Sequence, residues 1–386
     1  MQARTENGEA VALDPPSPDQ RRRLRYRVVR LNRRQAGGVL NASGQVAYSE
    51  LDDNGGFVPK FYDGRTTVPI APGRTAFVTD LSDSGQVSGV LTVGAGRPFH
   101  AFRWSRAGGL VELEEPPGVE ESYTSAINNR GQVAGYKVID DPSGQQALFW
   151  DPRTGVRPLV TPGGPSPIAL GINNAGQVIL NGLTANGVGA AFVWSQRRDM
   201  VALVPPGALG SDARVINDSG QVAGNFSTPE SSLQMFLWTP GAGFTGVGDQ
   251  PGGPFALSDN GVVAGVLLSQ RAFVWSRQLG LVDIGFLPGG SFSNAYGVNN
   301  RAQVVGDATV ADGSMHAFLW TPDEGLSDLN DRLLDRPPAV LRAARHINND
   351  GVILAATEAG LVLLFPRRGD RPAQDAGGDD ESATPD

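Results

Sequence analysis

Short segments of alternating apolar and polar residues recur along the chain in groups of four, with turn-rich breaks between them. The segments are about five or six residues long, a length and a period typical of β-strands with one buried face. Glycine and proline supply 51 and 28 of the 386 residues, which suits a chain with many tight turns. The pattern predicts an all-β protein built from short strands.

One phrase marks the first break of every group. It approximates Asn-Asn-x-Gly-Gln-Val, as in AINNRGQVAGY at residues 126–136. Its glycine accepts a positive φ without steric penalty, so the phrase predicts a tight turn that leads into a strand. The eight turn positions are Gly44, Gly85, Gly131, Gly176, Gly220, Gly261, Ala302 and Gly351. Their spacing of 41 to 49 residues is typical of a propeller or a solenoid, whose units bury their faces against one another.

The third segment of most groups is an aromatic run such as Ala-Phe-x-Trp, and these runs contain all six tryptophans. The first apolar residue of the fourth segment follows six positions later, as in Trp104 to Leu110 and Trp320 to Leu326. This spacing predicts a third turn of fixed length. First segments are rich in small residues, which suits strands crowded around an axis, whereas tryptophan suits the wider gap between blades farther out.

The two ends of the repeat region complement each other. The eighth group ends after its aromatic segment at residues 361–365, so it lacks a fourth strand. Residues 26–31, YRVVRL, precede the first group and form a spare strand, with Val28 and Leu31 available for burial. Pairing the two ends leaves only protected edges. We therefore predict an eight-bladed β-propeller with four-stranded blades, closed by strand 26–31 pairing with the last blade; a β-solenoid is the alternative.

The predicted organisation is one propeller domain, residues 26–367, between disordered tails at residues 1–25 and 368–386. Residues 370–386 carry six acidic residues against one arginine, so much of the net charge of −8 belongs to the second tail. The sequence shows no basic footprint for nucleic acid. No apolar run approaches the roughly 20 residues of a transmembrane helix, and no hydrophobic export signal is visible near the amino terminus.

Composition excludes several kinds of chemistry. The chain has no cysteine, so disulfides, zinc–thiolate sites and thiol nucleophiles are impossible. Its three histidines lie in different repeats, which disfavours a metal centre. His100 and His316 fall in aromatic strands, where packing or an edge position is the favoured role. We expect neither a metal nor a cofactor.

The stretches HAFRW at 100–104, HAFLW at 316–320 and GLVDIGFLPGG at 280–290 resemble the HAF-repeat family of bacterial proteins. Residues 327–351 resemble its longer final repeat, and the likeness covers about residues 26–367. The chain departs from the repeat at Val262 and Val352, which replace glutamine, and at Ala302, which replaces glycine. The resemblance implies an extracellular or cell-surface protein, but it brings no catalytic residues with it.

In the predicted propeller, the turns of fixed length share one face and the connections of variable length share the other. Loops on a rigid scaffold are the usual place for recognition, so we predict that the variable face binds the ligand. An ordinary solvated loop position is the alternative role of each candidate residue. The candidates are Glu120, Glu121, Tyr123, Asp140, Asp141, Arg342, Arg345 and His346.

Two classes of function remain open. The favoured one is a non-catalytic binding or interaction scaffold, a monomer whose ligand is a protein or a polysaccharide. The alternative is a carbohydrate-active hydrolase or lyase with its site at the mouth of the central channel. Two carboxyl groups about 5 to 10 Å apart in a deep pocket would favour the enzyme, and shallow polar loops would favour binding.

Overall fold

A computed structural model describes the backbone of residues 3–4 and 10–11, and residues 24–34, 36–92, 99–116, 121–138, 144–164, 167–231, 233–335, 337 and 339–367. These residues form eight four-stranded antiparallel sheets. The predicted eight-bladed β-propeller is therefore confirmed. Ala3–Arg4 pairs with Ala10–Val11 outside the propeller. The predicted disordered tails, 1–25 and 368–386, otherwise lie almost wholly outside the described residues.

Blades are numbered 1 to 8 along the chain, and strands are called first to fourth from the central channel outward. The first strands are Ala36–Leu40, Ala76–Leu81, Glu121–Ile127, Ile168–Ile172, Gly210–Ile216, Gly252–Leu257, Ser293–Val298 and Leu341–Ile347. The second strands are Val46–Leu51, Val87–Thr92, Val133–Val138, Gln177–Leu183, Val222–Ser227, Val263–Leu267, Val304–Thr309 and Ile353–Thr357.

The outer half of each blade follows the same order. The third strands are Phe57–Tyr62, Phe99–Ser105, Gln145–Asp151, Gly189–Ser195, Gln234–Thr239, Ala272–Ser276, Met315–Thr321 and Gly360–Arg367. The fourth strands are Thr67–Pro69, Gly109–Glu112, Gly155–Pro158, Arg198–Leu203, Gly243–Gly246, Gly280–Gly285, Gly325–Asp328 and, in blade 8, Arg25–Arg30. One 3₁₀ helix, Leu329–Arg332, follows blade 7.

The amino-terminal strand closes the ring. Arg25–Arg30 pairs with Gly360–Arg367, one residue earlier than predicted. Tyr26 is fully buried, whereas Val28 and Leu31 are only partly buried. The tyrosine packs against apolar residues of blade 7, which explains why it is the residue that enters the core. On the other side of blade 8, a shared cluster of buried side chains joins it to blade 1.

The segment between blades 7 and 8 covers the outer edge of the closing strand. The main-chain N–H of Leu334 donates to the carbonyl of Tyr26 at 2.8 Å. The Asp328 side chain accepts from the main-chain N–H of Asn330 at 2.8 Å and starts the 3₁₀ helix. An uncovered edge strand exposes unpaired backbone groups that promote aggregation. The long last connection therefore protects the point at which the ring is closed.

Tryptophan side chains lie between neighbouring blades, as the sequence predicted. The ring centroids of Phe61 in blade 1 and Trp104 in blade 2 are 5.1 Å apart. Phe149 and Trp194 repeat this contact between blades 3 and 4 at 5.0 Å. Such pairs add to the area that each blade buries against the next.

The turn phrase forms hydrogen bonds both within and between blades. Asn173 Oδ1 accepts from the main-chain N–H of Gln177 at 2.9 Å, and Asn173 Nδ2 donates to the carbonyl of Asn217 in the next blade at 3.0 Å. Equivalent hydrogen bonds from asparagine side-chain amides to the next blade recur around the ring, and we call this set the asparagine belt. Its donors are Asn41, Asn128, Asn173, Asn217, Asn299 and Asn348. The Asn348 bond joins blade 8 to blade 1, so the belt crosses the closure.

Blades 2 and 6 carry serine in the belt position. The Ser82 and Ser258 hydroxyls still accept from the main-chain N–H four residues later, at 3.1 and 3.0 Å. They are too short to reach the next blade. Ser84 Oγ and Asn260 Nδ2 instead donate to carbonyls of Asn129 and Asn300. The turn therefore tolerates serine, while the link between blades passes to a neighbouring side chain.

Substitution of Asn173 by serine separates the two roles of the belt residue. Asn173→Ser keeps an acceptor for the turn, as in blades 2 and 6, but removes the donor to Asn217. We expect a loss of about 1 kcal/mol in unfolding free energy, because one buried hydrogen bond between blades is lost. The reverse change, Ser258→Asn, should raise stability. Denaturant unfolding would check both, and equal stability of Asn173→Ser and the native chain would contradict a role for the belt.

A second prediction concerns close backbone packing in blade 7. A Cβ atom at Gly306 would lie 1.8 Å from the carbonyl oxygen of Asn294 and 2.7 Å from the Phe318 ring. Gly306→Ala should therefore destabilise the fold by about 1–3 kcal/mol or more through overpacking. Gly37→Ala is the matched control, since nothing lies within 4 Å of its Cβ position. Thermal unfolding should separate the two variants, and similar midpoints would refute the packing argument.

Candidate functional site

Strand order sorts the connections of the blades onto two faces. Turns from first to second and from third to fourth strand lie at one end of every sheet, here called the fixed-turn face. The other connections lie at the opposite end, the variable face. Successive first strands contact one another all around the ring, including blade 8 with blade 1. They enclose the central channel.

A β-bulge interrupts the first strand in seven blades. A bulge places an extra residue opposite one partner residue and re-aims its side chain. Here the extra residues are exposed or half-buried, whereas neighbours such as Ala213 and Ala295 are fully buried. We infer that the bulge residues line the channel. In chain order, the bulge residues six positions before the turn residue are Thr79, Ser125, Leu170, Arg214, Phe255, Tyr296 and Arg345. Blade 8 has a further bulge at Arg342, nearer the start of its first strand.

The bulge residues of blades 5 to 8 form a cluster of large side chains, here called the channel cluster: Arg214, Phe255, Tyr296 and Arg345. The rings of Phe255 and Tyr296 are nearly parallel, with an interplanar angle of 10° and centroids 6.2 Å apart. The Arg345 guanidinium lies 4.0 Å from the centre of the Tyr296 ring, a cation–π contact. Phe255 remains 42% exposed.

Carboxylates accompany both arginines of the channel cluster. Arg214 Nε lies 2.7 Å from Asp212 Oδ1. Burial raises the pKa of Asp212, and the Arg214 guanidinium opposes that shift. Asp307 is buried beside Arg345 and Tyr296; burial raises its pKa too, against the positive charge of Arg345. The cluster thus combines two aromatic rings with two pairs of opposite charges.

The three candidates near the last blade lie on its first strand, Leu341–Ile347, rather than in the preceding connection. Arg345 belongs to the channel cluster. His346 bonds to the main chain of Gly38 in blade 1 and so joins the two blades at the closure. Arg342 forms an ion pair with Glu358 at 2.6 Å. The structure therefore brings Arg345 and His346 to the channel wall and leaves Arg342 in a separate pair.

A second aromatic group lies at the variable-face end of blades 2 and 3. Tyr123 stacks on Tyr136, with ring centroids 5.1 Å apart and an interplanar angle of 16°, and contacts Phe99 at 5.7 Å. These three half-buried residues are here called the rim aromatic cluster. The Tyr123 hydroxyl donates to the Glu121 carboxylate at 3.0 Å. The candidates Glu120, Asp140 and Asp141 lie outside the described residues.

Turns of the blades surround the fixed-turn end of the channel. A cavity of about 200 Å³ lies there, touched by residues of blades 1, 2, 6, 7 and 8. Its polar side chains bond to neighbouring turns: Asp83 Oδ1 accepts from the Ala42 N–H at 2.8 Å, and Asn349 Oδ1 accepts from the Asn300 N–H at 2.9 Å. These groups hold adjacent blades together, so the polar side chains at the fixed-turn end of the channel have a structural role.

The aromatic-strand histidines pair with carboxylates. His316 Nδ1 lies 2.6 Å from Asp328 Oδ2, and His100 Nδ1 lies 3.9 Å from the carboxylates of Glu112 and Glu115. In the ranges that the structure describes, no group of three His, Asp or Glu side chains is arranged to hold a metal ion. Among the described elements there is also no helix long and apolar enough to span a bilayer.

Comparison with solved structures finds other propellers. The chain is similar to the β-propeller domain of the Trilobed protease from Pyrococcus furiosus, with 11% identity and a TM-score of 0.50 over 77% of this chain and 98% of that one. It is also similar to prolyl endopeptidases, with 14% identity and a TM-score of 0.50 over 79% and 49%. Virginiamycin B lyase from Staphylococcus aureus matches at 12% and 0.45 over 88% and 99%. Identities this low show the fold alone.

No family model and no curated protein sequence matches the chain. The site must therefore be argued from its own residues. Arg214, Phe255 and Tyr296 were not among the candidate residues predicted from the sequence. The signal was a large residue beside or between small ones in a first strand, as in Ala295-Tyr296-Gly297. The small residues permit close packing of first strands, and the large one is turned toward the channel.

Burial shifts the pKa values of two titratable side chains on first strands, raising that of Asp80 and lowering that of His346. Burial raises the pKa of Asp80 to about 6, although the N–H groups of Ile127 and Leu81 favour its charged form. Burial lowers the pKa of His346 to about 4, and the nearby Arg345 charge acts in the same direction. Both side chains occupy first strands, where neighbouring blades restrict their contact with water.

These shifts predict opposite effects on stability in acid. As pH falls from 6.5 to 4, the unfolded state protonates His346 first, so stability is lost. As pH falls from 6 to 3.8, the native state protonates Asp80 first, so stability is gained. Asp80→Asn should therefore steepen the loss of stability between pH 6.5 and 4, and His346→Gln should reduce it. Unfolding midpoints measured across this range would check both, and profiles parallel to that of the native protein would contradict them.

Proposed function

We propose that this protein is a non-catalytic binding propeller of the HAF-repeat kind, which recognises a protein or a polysaccharide through its variable face. The observation that carries the proposal is the rim aromatic cluster. Tyr123 stacks on Tyr136 and makes a tilted contact with Phe99, and all three are half-buried at the base of variable connections. Tyrosine and other aromatic residues are enriched in binding hot spots because they present a large, rigid surface with little entropy to lose.

The contrast between the two faces supports this choice. On the fixed-turn face, side chains of the repeated turns form the asparagine belt and a second set of links, such as Asp83 to Ala42. Changing these side chains would weaken contacts between blades. The variable connections differ in length from blade to blade, and loops held on a rigid scaffold are the usual place for recognition. In this proposal the protein acts as a monomer. The family resemblance implies a location outside the cell or at its surface.

The alternative, a carbohydrate-active hydrolase or lyase, is favoured by one observation. Asp80 lies on the channel wall with a pKa near 6, in the range useful for a general acid. However, Asp80 Oδ2 accepts the Ile127 N–H of the next blade at 2.8 Å, which gives the carboxylate a structural role. Asp212 is held by Arg214 on blade 5. Both carboxylates therefore have structural partners that explain their positions without a catalytic role, so binding is the preferred function.

The proposal predicts that binding depends on the rim aromatic cluster. The intact chain would be applied to arrays of glycans and short peptides, and affinity for the best ligand would then be measured for variants. We expect Tyr123→Ala to weaken binding at least about tenfold, with Tyr123→Phe close to the native protein, because the ring supplies the contact area. Gln278→Ala on the fixed-turn face is the control and should bind normally.

Three results would count against this function. Equal binding by Tyr123→Ala and the native chain would exclude the cluster, provided that both are folded. Loss of binding only in Gln278→Ala would show that the fixed-turn face, and not the variable face, binds the ligand. Cleavage of an arrayed glycan, abolished by Asp80→Asn, would establish the enzymatic alternative instead.

A further inference from the structure

The side chains that line the channel differ in size between the two halves of the ring. Blades 5 to 8 contribute the four large side chains of the channel cluster. Across the axis, blades 2 to 4 contribute shorter bulge residues, namely Thr79, Ser125 and Leu170. Because blades 1 to 4 face blades 5 to 8 across the ring, the large side chains lie opposite these shorter ones, with the channel between them. A ligand there would touch the channel cluster on one side.

The channel cluster presents an aromatic surface to this space. Phe255 stacks on Tyr296, yet 42% of it is exposed although it lies midway along a first strand. An exposed aromatic ring inside a channel gains free energy when a ligand displaces water from it. The flat C–H face of a pyranose ring has the size and polarity to cover it. The parallel arrangement of the two rings extends the surface available to such a ligand.

The charges of the cluster select a neutral ligand rich in hydroxyl groups. Arg214 has Asp212 within 2.7 Å, and Arg345 has Asp307 close by. An anion would therefore meet arginines whose charge is already compensated. A hydroxyl group both donates and accepts, so it can bond to a guanidinium and to its carboxylate partner at once. About half of the Arg214 side chain and a third of the Asp212 side chain are exposed, at 51% and 34%.

We propose that the channel cluster binds the end of a neutral sugar chain, with a pyranose ring stacked on Phe255 and its hydroxyls bonded to the Arg214–Asp212 pair and to Arg345. The inference rests on the proposed function and names the ligand class of that function. The ligand enters from the variable face, since polar side chains of the fixed turns are already bonded to neighbouring blades. This route favours a chain end over a chain interior.

The test is calorimetric titration of the full chain with defined oligosaccharides. Neutral probes are the hexaoses of β-1,4-glucose, α-1,4-glucose, β-1,3-glucose and N-acetylglucosamine. Acidic and peptide probes are hexagalacturonic acid, hexaglutamate and a neutral hexapeptide of glycine, serine and glutamine. We expect one or more neutral hexaoses to bind, with an affinity unchanged between low and high salt because no net charge is neutralised. The other probes should bind at least about tenfold more weakly.

Variants then locate the site. Phe255→Ala should weaken binding of the neutral hexaose at least about tenfold, and Phe255→Trp should retain it, because a larger ring preserves the stacking surface. Leu279→Ala is a matched control, since Leu279 is 40% exposed but lies on the fixed-turn face. It should bind as the native chain does. Circular dichroism of each variant confirms that the propeller is folded.

The outcomes separate this inference from the proposed function. If a neutral hexaose binds and only Tyr123→Ala weakens it, the channel inference is overturned and the variable-face function stands. If peptides or acidic sugars bind and neutral hexaoses do not, the ligand class is wrong while the function again stands. If none of the probes binds and the arrays are also blank, both are refuted. Loss of neutral-sugar binding in Phe255→Ala, but not in Leu279→Ala, supports the inference.

Discussion

The hydrogen bond from the side-chain amide of each belt asparagine to the next blade is the interaction on which the rest of the molecule depends. A propeller blade buries its faces only against its neighbours, so the angle between blades must be held by specific contacts. The asparagine side chain does this with one group for its own turn and another for the adjacent carbonyl, as Asn173 shows. Because Asn348 repeats the bond to blade 1, the same interaction closes the ring.

Holding the first strands at close quarters has a consequence for the channel. Small residues such as Ala213 and Ala295 are buried where first strands meet, so a larger residue in the same strand must point elsewhere. The β-bulge provides the extra backbone length that turns it toward the axis. Tyr296 and Arg345 reach each other in this way across two blades. The features that make the ring rigid thus also assemble the channel cluster.

The fixed-turn face contributes mainly to stability, whereas the proposed recognition sites lie on the variable face and in the channel. Carboxylate and amide groups of the fixed turns are occupied by neighbouring blades, as at Asp83. The aromatic groups lie elsewhere, at the variable-face end of blades 2 and 3 and midway along the channel in blades 6 and 7. Separating the two roles lets the variable side change without loss of the ring, which is how a rigid repeat scaffold can acquire a binding site.

Repeat spacing, turn chemistry and the complementary ends were enough to predict eight blades and the pairing of the first strand with the last, because each depends on local pattern and on counting strands. Tyr123 and Arg345 were also identified from sequence as candidates, although their contacts were not. What only the tertiary structure decided is which side chains meet: Phe255, Tyr296 and Arg345 lie more than forty residues apart from one to the next and come into contact through the ring. Full burial of Tyr26, beyond the partial burial of Val28 and Leu31, was likewise decided by blade 7, a neighbour that no local pattern reveals.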